Sequence, residues 1–187
     1  PMARLRPLPR PELDSDQSEL WDQIVSSRKP GKLDLVGDDG GLIGPFNAFV
    51  HAPGVGRHMA ALGAALRFGT SLERRLIELA TCTVGAHWNA EFELWAHVPM
   101  ALAAGVDQGV IDDLLTGAAP SFERDDEATV HALTSQLLTT GRCDDATYAD
   151  ALELLGERGV VELTALVGYY CAISLLLNAF EVPVPAG

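Results

Sequence analysis

The chain predicts an all-α protein, and three observations carry that prediction. Apolar residues recur at helical spacing along most of the sequence, while no convincing stretch alternates with a period of two. Ser, Asp and Pro stand where helices would start, and Gly stands where they would stop. The 187 residues are 48% hydrophobic and 21% charged, which suits one domain with a real core.

The elements follow in order. Residues 1–14 are rich in Pro and Arg and read as an extended segment along the surface or over a neighbouring subunit. Pro1 before Met2 reads as a cloning scar ahead of the native start. Ser15 or Asp16 caps a short helix carrying Leu20, Trp21, Ile24 and Val25, ending near Arg28. Pro30 to Gly44 is loop, and its glycines lack the spacing and strand–helix context of a phosphate loop. Pro45 starts a helix through Phe46, Phe49 and Val50. Pro53 interrupts it, and a further helix carries Val55, Met59, Leu62 and Leu66.

Ser71 is the expected cap of the next helix, which carries Arg74, Arg75 and Glu78. Gly85 to Asn89 reads as a break, with Asn89 capping a helix that runs to Ala104 and is kinked at Pro99. Gly105 fits its C-terminus. Helices then follow over Asp107–Leu115, from Asp125 to Gly141, from Asp144 to Gly156, and from about Gly159 to Asn178. The last is strongly apolar, but Thr164, Tyr169, Tyr170 and Ser174 mark it as a buried helix, not a membrane span.

Charge and cysteines exclude several classes. With 13 basic and 26 acidic residues the net charge is −13, which argues against nucleic acid and anionic membranes as partners. Only Lys29 and Lys32 are lysines; the other basic residues are arginines, which suit carboxylate binding better. Cys82, Cys143 and Cys171 are widely spaced, and no secretory leader pattern opens the chain, so reduced thiols and a cytoplasmic location are expected. Dithiol peroxide chemistry needs two adjacent thiols, and no Cys-x-x-Cys is present.

The chemistry concentrates between Glu78 and His97. Glu78 interrupts the apolar run Leu76, Ile77, Leu79, Ala80 and Val84, where a charge must be paired, hydrated or functional. Glu93 and His97 stand at i and i+4 on one helix face. A hairpin turning near Gly85–Asn89 brings Glu78 level with His97; one continuous helix would separate them.

Glu78, Ala90, Glu93 and His97 occupy the spacing of the alkylhydroperoxidase D signature, whose middle positions are Cys-x-x-Cys. With Ala90 and Glu93 in place of the cysteines, the chain resembles the carboxymuconolactone decarboxylase branch of that superfamily. Gly44-Pro45-Phe46-Asn47, His51-Ala52-Pro53, Phe92 to His97, Ala104-Gly105-Val106 and Asn178 to Pro183 fit the same branch. The resemblance implies an alkylhydroperoxidase D-like helical bundle over 44–187, preceded by an extension over 1–43. It further implies a homotrimer or homohexamer and a cofactor-free, metal-free lyase acting on a small lactone or aromatic-catabolism acid. His97, Glu93 and Glu78 are its expected catalytic residues. A thiol-dependent antioxidant protein and a non-enzymatic binder of small acids are the alternatives.

Each residue also has a plainer reading. His97 with Glu93 fits a structural hydrogen bond, and Glu78 fits an ion pair with Arg74 or Arg75. Asn47 and His51 share a helix face and fit either an oxyanion-holding wall of the substrate pocket or bonds to neighbouring backbone. Arg67, Arg74 and Arg75 are candidates to grip a substrate carboxylate. Trp88 is one of several aromatics that fit core, interface or pocket wall. His87 and Glu91 with His97 form a weaker metal-site pattern. Glu73–Pro99 and Glu157–Pro183 share six identities over 27 residues, a hint of a repeat that pairs Glu162 with Glu78 and Glu181 with His97.

Overall fold

The structure is a computed structural model and describes residues 3–27 and 34–185. The expectations for Pro1 and Met2, for the helix end near Arg28, and for Lys29 to Lys32 fall outside the described residues. Among the described residues there are eight α-helices, with a 3-10 turn at Arg10–Glu12. Among the described residues the nearest thing to a strand is one antiparallel bridge between Val36 and Leu42. The all-α expectation therefore holds. The chain divides into two compact units, Pro1–Ala64 with Leu176–Gly187, and Ala65–Leu175.

In the first unit, α1 (Ser15–Ser26) starts one residue earlier than the expected caps. Asp14 is the N-cap: its carboxylate accepts from the Gln17 backbone N–H, and the Gln17 side chain accepts from the Asp14 N–H. Leu20 and Ile24 are buried, and α1 packs on α2 (Pro45–His51). Pro45 and Pro53 open α2 and α3 (Pro53–Phe68), where a missing N–H costs nothing. A Cβ at Gly56 would lie 2.3 Å from the Phe49 carbonyl oxygen, so glycine permits the close approach of these two helices.

The second unit is built around α4 (Arg74–His87). Every residue of α4 from Arg75 to Gly85 is buried. Its apolar residues lie on every side of the helix, so it must sit in a core, and its buried Arg75, Glu78, Thr81 and Thr83 each need a partner there. Its two buried threonines bond back to carbonyls one turn earlier, Thr81 to Ile77 and Thr83 to Leu79. Around it lie α5 (Glu91–Ala103), α6 (Gln108–Thr116) and α7 (Asp125–Thr140). Leu79 and Cys82 pack with Ala101, Val106, Val110 and Ile111. Each such leucine or isoleucine contributes roughly 1.5–3 kcal/mol by leaving water.

Two caps differ from expectation. Ser71 does not cap α4; Glu73 takes that place, and Ser71 gives its N–H and hydroxyl to Glu162. Asn89 does not cap α5. It sits beyond the C-terminus of α4 with φ +49°, and the bonds Ala90 N–H to Gly85 O and Asn89 N–H to Ala86 O close a Schellman turn. Asn tolerates this left-handed position because its side chain can bond locally. The turn is three residues, Trp88 to Ala90, shorter than the break expected from Gly85.

The helix stop expected at Gly156 is a break inside one long element, α8 (Asp145–Ala179), where Gly156 has φ +66°. By length and composition α8 would pass for a membrane span. Leu163, Leu166, Val167, Tyr170, Ile173 and Leu177 are nevertheless buried within the protein, as a core helix requires.

Candidate active site

The short turn after α4 fixes the register of the α4–α5 hairpin and brings Glu78 to His97. His97 Nδ1 lies 2.6 Å from Glu78 Oε2. His97 Nε2 lies 3.1 Å from Glu93 Oε1. Glu78 also pairs with Arg74, one turn earlier on α4. The plainer reading of Glu78 and the chemical one thus meet in a single group: it bonds the imidazole and Arg74 at once. Glu78, Glu93 and His97 are only 0%, 3% and 6% exposed, so water screens these charges poorly.

Both ring nitrogens of His97 face a carboxylate, an arrangement that wants a proton on each. Burial opposes the charged imidazole, but attraction to Glu93 and the hydrogen bond to Glu78 outweigh it and raise the His97 pKa above its ordinary value. Glu93 lies in the first turn of α5, where the helix dipole favours a negative charge. Tyr170 packs edge-on against His97, with ring centroids 5.2 Å apart. Burial, with Glu93 and Glu78 nearby, pushes its phenol pKa up, so it stays protonated.

Cys82 follows Glu78 by one turn and is buried. Burial and the charges of Glu78 and Glu93 push its thiol pKa well up. Such a thiol is a poor nucleophile.

The other expected residues are placed as follows. Asn47 and His51 lie in the first unit and bond the N-terminal backbone. Asn47 Oδ1 accepts from the Leu8 N–H, its Nδ2 donates to the Arg6 carbonyl, and His51 Nε2 donates to the same carbonyl at 2.9 Å. Trp88 closes the hairpin, its Nε1 donating to Cys171 Sγ at 3.4 Å. Arg67, at the end of α3, lies against Met100. Arg75 belongs to a separate ion network with Asp126 and Glu127 at 2.5 and 2.7 Å, joining α4 to α7. His87 is exposed and packs edge-on against Trp88; among the described residues no cluster of His, Cys, Asp or Glu is arranged to hold a metal.

Sequence reasoning had Tyr170 only among several aromatics that fit core, interface or pocket wall, and it missed Met100 as a neighbour of this cluster. Tyr170 had a faint signal, a hydroxyl in an otherwise apolar helix. Met100 had none.

A family model described as the carboxymuconolactone decarboxylase family matches residues 53–135, which include the whole hairpin. No curated protein matches the chain. Among solved structures, the alkylhydroperoxidase AhpD core of an uncharacterized peroxidase-related protein from Ralstonia eutropha JMP134 superposes with a TM-score of 0.76. It is 13% identical, and the match covers 99% of this chain and 93% of that one. A protein of unknown function from Agrobacterium tumefaciens, suggested to be an AhpD-type antioxidant defence protein, gives 0.66 at 15% identity, covering 75% of this chain and 97% of that one. At these identities the likeness is one of fold.

Proposed function

We propose, for a chain whose residues 53–135 belong to the carboxymuconolactone decarboxylase family, a cofactor-free lyase that decarboxylates a small lactone acid of the kind met in aromatic catabolism. The observation that carries this reading is the imidazole of His97 held between two buried carboxylates.

Loss of CO2 from a lactone acid leaves an electron pair delocalised into an enolate-like system. That charge must be stabilised and then protonated. A doubly protonated His97 supports both tasks. The 2.6 Å contact to Nδ1 makes Glu78 the group that orients the ring, with Arg74 balancing its charge. Glu93, at Nε2, is then the group that relays a proton from solvent back to the imidazole after transfer.

A thiol peroxidase is disfavoured by two facts. Ala90 and Glu93 stand where that chemistry needs cysteines, and the Cys82 thiol is buried and held protonated. A trimer or hexamer remains part of the proposal, supported by exposed Val161 and Leu175 on α8.

The test is an assay with 4-carboxymuconolactone, following ultraviolet absorbance and CO2 release. Turnover is expected in the parent protein and a loss of about 10²–10⁴-fold in His97→Ala. No turnover by the parent, or full turnover by the variant, would overturn the reading.

A further inference from the structure

Two guanidinium groups beside the His97 cluster share one weak acceptor. Arg67 Nη2 and Arg74 Nη2 each lie 3.6 Å from Met100 Sδ. A thioether accepts hydrogen bonds poorly and carries no charge to offset two cations. Both groups also lie over the Phe68 ring, 5.2 and 5.9 Å from its centroid. Arg74 has Glu78 as its counter-ion. Arg67 makes no ion pair among the described residues, and its Nε is buried without a partner. The positive charge of Arg67 is felt at Tyr170, the ring that packs on His97. One positive charge is therefore left over at the edge of the cluster, with its donors already aimed.

We propose that Arg67 and Arg74 bind a carboxylate of the ligand, which displaces the Met100 sulfur and packs beside Phe68. Guanidinium donors match a carboxylate in geometry and charge, and the bonds formed are charge-assisted. The proposal deepens the lyase reading and rests on it for one point, that the ligand is the substrate. A carboxylate clamped by two arginines is stabilised as an anion and is a poor group to lose as CO2. Arg67 and Arg74 are accordingly the residues that hold the carboxylate the substrate keeps, while the departing group lies near His97.

Binding can be measured without turnover, using maleate as the probe and isothermal titration calorimetry. Maleate is expected to bind the parent protein, and its uncharged dimethyl ester is not. Arg67→Gln should weaken maleate binding about tenfold or more, the loss of a charge-assisted pair. Arg67→Lys, which keeps the charge, should recover part of it, and carries the test if Arg67→Gln does not fold. Met100→Leu should bind as well as the parent or better. Arg158→Gln, at an exposed arginine of α8, should bind as the parent does. Absence of maleate binding by the parent, binding by Arg67→Gln within about twofold of it, or equal binding of the diester would overturn the proposal. His97→Gln separates the two readings, since it should retain maleate binding while losing turnover. Arg67-dependent binding in a parent protein without decarboxylase activity would support this site and sink the reaction.

Discussion

The same pair of residues occurs twice in the second unit, and its surroundings make it two different things. Arg74–Glu78 and Arg158–Glu162 are both i, i+4 ion pairs, and they correspond in the weak internal repeat. On α8 the Arg158 side chain is 72% exposed, and Glu162 accepts from the Ser71 N–H and hydroxyl at 2.8 and 2.7 Å. That pair tethers the segment before α4 in a partly solvated setting. On α4, Glu78 is wholly buried and reaches His97 as well as Arg74. The equivalent of His97 in the repeat is Glu181, which lies in the first unit and pairs with Arg4 of that same unit. An ordinary helical ion pair thus becomes a candidate catalytic one when a second helix brings an imidazole to it and water is excluded.

Removing each glutamate should break the comparison most clearly. Glu78→Ala leaves a charged His97 in the interior without its Nδ1 partner, and a cost of about 3–5 kcal/mol is expected in urea or thermal unfolding. Glu162→Ala leaves Arg158 in water and should cost under about 1.5 kcal/mol. Equal costs would show that burial does not separate the two. Arg75→Ala provides an internal reference. Its pairing with Glu127 is buried as Glu78 is, with half-buried Asp126 beside it, but it has no imidazole. It should destabilise by about 3–5 kcal/mol while leaving the proposed turnover per folded molecule intact.

Acidity sharpens the contrast, because the two sites titrate in opposite senses. The His97 pKa is raised in the fold. The stability its charge adds is complete below the ordinary histidine value of about 6.5 and is lost as pH rises through the raised value. The hydrogen bond from Ser71, aided by Arg158, lowers the Glu162 pKa. Its contribution is present above the ordinary glutamate value of about 4.3 and disappears as pH falls through the lowered one. Melting temperatures across pH should therefore lose an alkaline limb in His97→Gln and an acid limb in Glu162→Gln. Turnover should fall on the alkaline side as His97 deprotonates, and a pH profile lacking that limb would remove His97 as the proton donor. The smallest effect belongs to Arg158→Ala, an exposed partner whose loss should cost under about 1 kcal/mol.

Much of this was legible in the residues. Helix positions followed from apolar spacing, from Pro45 and Pro53 at helix starts, and from Gly117, Gly141 and Gly156 at positive φ. The meeting of Glu78, Glu93 and His97 followed from a break in the right place, although Asn89 proved to end one helix instead of starting the next. Caps were less legible, because Ser71 and Asp14 are chosen by neighbours outside their own helices or by one-residue shifts that composition does not resolve.

The sequence by itself determined the helical class and the spacing of the acid–base residues, because both depend on local periodicity and on turns a few residues long. Helix spacing already favoured Arg74 for Glu78, but tertiary structure alone sent Arg75 across to α7 and Arg67 to a thioether. Adjacent residues on a helix point about 100° apart, so neighbouring arginines face different partners. Which partners those are depends on packing between helices distant in sequence, and so does the burial that separates Glu78 from Glu162.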